Sequence, residues 1–141
     1  MADNAGASRR TVDLDRSEKI TINVGLVDLG QIDLLVSEGF FANRTDFIRT
    51  AIRRQLEGRA EAVERTVARR ELVLGIERYS RDALERLRDS GQTVELRVLG
   101  LAVIADDVSP ELAVATISRV EVLGAFRASR GVKAALASRT T

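Results

Sequence analysis

Between Glu18 and Val24 apolar and polar residues alternate without a break, with Ile20, Ile22 and Val24 on one side and Lys19, Thr21 and Asn23 on the other. Period two with β-branched residues predicts a half-buried strand, and Gly25 ends it. The period then lengthens. Leu29, Ile32, Leu35 and Val36 recur at spacings of three and four, which places them on one face of a helix. Gly39 stands where a C-terminal cap belongs. After Phe40-Phe41-Ala42, Asn43 reads as the N-cap of a second helix, and Asp46 sits three residues on, as in a capping box. Phe47, Ile48, Ala51, Ile52 and Leu56 trace the apolar face of that helix, and Gly58 ends or interrupts it. The charge-rich stretch from Glu61 to Arg70 reads as a solvated helical connector.

Beyond Glu71 the pattern repeats itself. Val94, Leu96 and Val98 alternate with Glu95 and Arg97, and Val120 and Val122 flank Glu121, so two strands are expected. Ser109-Pro110-Glu111 between them is a helix start, with Ser as cap and Pro at the first helical position. A shift of 24 residues aligns Leu96 with Val120, Val98 with Val122, Leu99 with Leu123, Gly100 with Gly124, Val108 with Val132 and Leu112 with Leu136. A weaker third copy, Val73-Leu74-Gly75 with Leu87, precedes them. This predicts a small strand-turn-helix repeat unit over residues 72–137. If its copies stack in parallel register, Glu95 meets Arg119 and Arg97 meets Glu121, two cross-strand pairs of opposite charge.

Composition narrows the chemistry. Of 141 residues 45% are apolar and only 4% aromatic, so any core is aliphatic. The absence of Cys and His removes disulfides, thiolate catalysis, the usual general base and the common transition-metal ligands. No enzyme, no metal site and no cofactor is therefore expected. Asp106-Asp107 reads as an acidic turn before the next helix, and no phosphate-binding glycine loop or small-molecule site is evident. A net charge of +1 means that any nucleic-acid contact rests on local basic groups. Met1 to Arg10 lacks the apolar stretch of a signal peptide, and the run from Val98 to Ala105 is too short to span a bilayer, which points to a cytoplasmic protein without membrane contact.

The ordered set of an alternating strand, a helix, Gly39, and then Asn43-Arg44-Thr45-Asp46-Phe47-Ile48 resembles the ribbon-helix-helix family of MetJ, Arc and CopG type, over Glu18 to Leu56. The resemblance implies an intertwined homodimer that binds double-stranded DNA as a transcriptional regulator, a repressor among its known forms. One strand and two short helices bury too little surface alone, so dimerisation would belong to folding itself. The expected architecture is α+β. It comprises an arm over 1–16, a ribbon-helix-helix unit over 17–57, a helical connector over 58–71 and the repeat unit over 72–137.

In a paired ribbon Lys19, Thr21 and Asn23 point away from the core, toward the major groove. Asn23 suits adenine N6 and N7, Lys19 suits guanine or phosphate, and Thr21 offers a hydroxyl or a methyl. The N-terminus of the second helix, with Arg44 and Thr45, is the expected phosphate clamp, and Arg16 in the arm is a further phosphate candidate. Asp13, Asp15 and Glu18 place acid beside the ribbon and oppose phosphate attraction. Tight binding then calls for several dimers side by side, joined through the repeat unit, whose last strand, Arg119 to Arg127, is the expected pairing edge. The alternative reading is the antitoxin of a toxin-antitoxin pair, with a C-terminal part that binds the toxin.

Overall fold

The computed structural model describes residues 17–141. The arm over 1–16, with Arg16, lies outside the described residues. The described residues form two compact units, one of Lys19–Thr66 and the other of Val67–Thr141 with Ser17 and Glu18. Helices and strands mix as an α+β chain.

In the first unit Leu26–Ser37 forms α1 and Arg44–Glu57 forms α2, while α3, Ala60–Arg70, begins here and runs on into the second unit. The apolar spacing that marks α1 ends at a paired backbone cap. Phe40 N–H donates to Leu35 C=O at 3.0 Å and Gly39 N–H to Val36 C=O at 3.1 Å. Gly39 takes φ 83°, a conformation that a side chain disfavours, and so the helix stops there. Gly58 is the C-cap of α2, leaving only Arg59 before α3.

The strand expected over residues 18–24 is not formed within the chain: residues 17–25 lie in neither helix nor sheet. A strand is defined by its ladder, and an alternating segment needs a neighbour to supply the bonds. Among the described residues every strand lies instead in one parallel sheet of the second unit, which is no part of a ribbon-helix-helix.

That sheet has order β1-β2-β3, with β1 Val73–Tyr79, β2 Val94–Ile104 and β3 Ile117–Arg127. The helices α4 (Arg81–Asp89), α5 (Pro110–Thr116) and α6 (Arg130–Ala135) follow the strands in turn, α4 packing on α5 and α5 on α6. Each begins at a serine whose hydroxyl accepts from the third helical N–H: Ser80 from Ala83 at 3.2 Å, Ser109 from Leu112 at 3.1 Å and Ser129 from Val132 at 3.2 Å. The strands keep the period found in the sequence, with Val73 beside Val98 and Val98 beside Val122, and Gly75, Gly100 and Gly124 in line. The helices do not keep it. Between β2 and α5 the turn Ala105–Val108 buries Val108, so Leu112 matches Val132 in its place after the cap serine, and Leu136 ends α6.

The aligned glycines explain how the strands lie so close. A Cβ on Gly100 would stand 2.2 Å from Gly75 O, and one on Gly124 would stand 2.1 Å from Gly100 O. All three take φ between 123° and 138°. The core lies on one side of the sheet, where Leu96, Val98, Ala102 and Ile104 of β2 and Val120 of β3 meet Leu84, Leu112 and Val132 of the helices.

The other side begins with charge. Glu121 is buried and bonded by Arg70, while Arg119 and Arg97 lie 3.4 and 3.6 Å from its second oxygen. Arg97 also reaches Glu71 at 3.4 Å and Glu95 at 4.0 Å. Register sets Glu95 opposite Arg119 and Arg97 opposite Glu121. Arg97 closes on Glu121 across the strands, whereas Glu95 and Arg119 each turn to a neighbour on their own strand. The guanidinium of Arg70, ahead of Arg119 and Arg97, holds the Glu121 carboxyl below its ordinary range against the opposing effect of desolvation.

Candidate nucleic-acid interface

The residues expected to read DNA occupy two places in the first unit. Lys19, Thr21 and Asn23 lie in the segment ahead of α1, and all three are exposed. Their alternating partners are exposed too: Ile20 is 72% and Ile22 62% accessible. Leu26, Val27, Leu34, Phe40, Ile52 and Leu56 join them as large apolar side chains in solvent. Within Lys19–Thr66 only Ile32 is buried, at 8% exposure.

The second place is the start of α2, which two local bonds build. Asn43 Oδ1 accepts from Asp46 N–H at 2.8 Å, and Asp46 Oδ2 accepts from Ala42 N–H at 2.9 Å. Of the capping box that Asn43 and Asp46 resemble, the bond from the Asp46 N–H to the cap is formed. The acid accepts from the residue before the cap and not, as in a capping box, from the N–H of the cap residue itself. Phe41 packs edge-on against Phe47, ring centres 5.0 Å apart, and fixes the turn between α1 and α2. Among the described residues no partner is recorded for the N–H groups of Arg44 and Thr45. They stand at the positive end of the helix dipole, the arrangement that attracts an anion. Thr45 is exposed beside them.

The Arg44 side chain is engaged in a way that spacing along the chain did not reveal. Its Nε donates to Asp33 Oδ1 at 2.7 Å and its Nη2 to Asp33 Oδ2 at 2.8 Å. This fork ties α2 to α1. The hydrogen bond from Arg44, reinforced by its charge, lowers the Asp33 pKa, and the same contact raises that of Arg44. The pair stays charged throughout the neutral range. Asp33 lies one residue past Ile32, on the polar side of α1, and an acid at that place was the signal available in the sequence.

Among the described residues no cluster of carboxylates is placed to hold a metal, and no helix is long and apolar enough to cross a membrane. A family model described as the Ribbon-Helix-Helix transcriptional regulator family matches residues 15–133. The match extends well past the segment from Glu18 to Leu56 that carries the resemblance, into the unit built on the parallel sheet. No curated protein and no solved structure matches the chain.

Proposed function

Since that match spans well over half of its length, the chain belongs to the Ribbon-Helix-Helix transcriptional regulator family, and from this premise we propose how it binds DNA: two copies pair their segments over 18–24 into an antiparallel ribbon that enters the major groove. DNA binding and transcription regulation follow from membership. The dimer and the groove are the proposal.

One observation carries it. The first unit keeps a single residue buried while Ile20, Ile22, Leu26, Phe40 and Leu56 stand in water. At about 25 cal/mol for each Å² of apolar surface, covering such a set with a second copy supplies the stability that the unit lacks alone. Pairing puts Ile20, Ile22 and Val24 inward and turns Lys19, Thr21 and Asn23 outward, because side chains alternate along a strand. Asn23 then reads adenine in both donor and acceptor sense, and Lys19 and Thr21 read neighbouring bases. The free N–H groups of Arg44 and Thr45 hold a backbone phosphate, with the Arg44 guanidinium adding its charge while it keeps Asp33. Arg16, ahead of the ribbon, contributes a further phosphate contact.

The folded second unit is the part that joins dimers into larger assemblies in the cytoplasm. No catalytic activity belongs to this reading. Folding of the region that would otherwise be a toxin-binding tail favours it over an antitoxin.

Selection of bound sequences from random duplex DNA, followed by titration of the selected site, tests the reading. Asn23→Ala should cost about 1–3 kcal/mol at that site and relax one base preference. Arg44→Ala should weaken all sequences alike and flatten the dependence on salt by about one counterion. Failure of any sequence to enrich, with retention unaffected by salt, would end the proposal.

A further inference from the structure

A sheet of parallel strands is ordinarily covered on both faces, because its strands are apolar on both. Here α4, α5 and α6 form one layer, and the core they build takes the Leu96, Val98, Ala102 and Ile104 side of β2. Side chains alternate along a strand, so the remaining residues face the other way. Register gathers them into two aliphatic rows, Leu74-Leu99-Leu123 and Ile76-Leu101-Ala125. None of the six belongs to the helix-side core. Leu101 at the centre is buried, whereas Leu74 is 69%, Ile76 49% and Leu123 44% exposed. No structural need for solubility places leucines there, and the same rows in three successive strands make a flat panel, not scattered surface residues.

Along the β1 edge the two ends of the panel differ in charge. Ahead of the leucine row stands the exposed Glu71, while Glu121 is buried and enclosed by Arg70, Arg97 and Arg119. Beyond the second row register places Arg78 and Arg127 at either side of Val103. Arg127 also holds Glu18 at 3.3 Å. Turn a second copy over about a two-fold axis that runs across the strands, and its rows reverse. The leucine row of one copy then lies on the isoleucine row of the other, and Arg78 approaches the exposed Glu71. Along β1 the face is complementary to itself in charge, and its apolar rows meet row on row.

We propose that this panel is the surface through which the second unit associates, by stacking face to face on the same panel of another copy at the ordinary spacing of packed sheets, about 10 Å. The occupant is a second chain of this protein. The inference rests on the reading of this unit as the oligomerising part, and corrects which surface does it. The expected pairing edge, β3, is partly closed: Thr141 N–H donates to Val120 C=O at 3.0 Å, and Thr140 bridges Val120.

The test uses the full chain. Light scattering over a range of concentrations should show four chains for the wild type and two for the double variant Leu74→Glu/Leu123→Glu. Both positions are exposed, and an unchanged far-ultraviolet circular dichroism spectrum checks folding. Affinity for a short duplex carrying one selected site should be the same for both proteins, since the ribbon is untouched. A second variant guards against misfolding: Leu74→Cys, in a chain without native cysteine, should still show four chains by light scattering and should crosslink through the panel with a short bismaleimide to covalent pairs. Should the wild type exceed two chains while Leu74→Glu/Leu123→Glu keeps the same mass, the panel is not the contact, though oligomerisation through this unit stands. A wild type of two chains at every concentration overturns both.

Discussion

Arg44 holds Asp33 through two nitrogens at 2.7 and 2.8 Å, so a phosphate at the start of α2 must share that guanidinium with a carboxylate. Both side chains are well exposed, at 56% and 48%, where solvent screens the pair and its worth to stability is small. Its consequence lies in binding. Asp33→Ala removes a negative charge and releases the fork, and DNA titrations at low salt should show several-fold tighter, steeper salt-dependent binding with little change in melting temperature. Equal affinity for the two proteins would show that the side chain is a tie between helices and leaves the phosphate to the backbone. Glu121 presents the opposite case, a buried carboxylate among Arg70, Arg97 and Arg119. Its folded pKa lies below the ordinary value of 4.5. The contribution is therefore complete above that value, and is lost as pH falls below it and through the folded pKa. Glu121→Gln should melt lower than wild type at neutral pH, with the gap narrowing in acid. A gap that is constant with pH would refute an ionic origin.

At the scale of elements, the glycine line decides whether three strands can lie side by side. Gly75 at the edge has nothing within 4 Å of an added Cβ, whereas Gly100 and Gly124 each meet a neighbour's backbone oxygen. All share the positive φ that burdens any side chain by about 1–3 kcal/mol. Gly75→Ala should cost that much in urea unfolding, and Gly100→Ala and Gly124→Ala about 1–3 kcal/mol more from the collision. Equal losses at the three sites would mean that strain, not approach, selects glycine. The repeat of strands was legible because Val-Leu-Gly recurs visibly. The repeat of helices was not, because α5 waits for the Ala105–Val108 turn while only Ala128 and Ser129 separate α6 from β3. Ser129, which caps α6, was missed for that reason. It fell out of step with Ser109 under a fixed shift.

For the whole molecule, the exposed residues of Lys19–Thr66 couple folding to association. The melting temperature of the first unit should rise with protein concentration, by mass action on a folded dimer and unfolded single chains. Circular dichroism and calorimetry between micromolar and hundred-micromolar chain resolve this. A transition that does not move with concentration would mean that the unit folds alone, and the ribbon would lose its basis. The second unit, with a core of its own, should add a transition less sensitive to dilution.

Local chemistry along the chain determined the helices, the asparagine and serine caps, the aliphatic core and the register of the strands, since each depends on spacing and on neighbours a few residues away. The tertiary structure decided what depends on residues distant in sequence. It joined Arg44 to Asp33, and it put Arg70, Arg97 and Arg119 around Glu121. By laying every helix after its strand on one side, it also left leucines of the other side in water. Alternation states that a strand has two faces. Only the packing of α4, α5 and α6 states which face is covered.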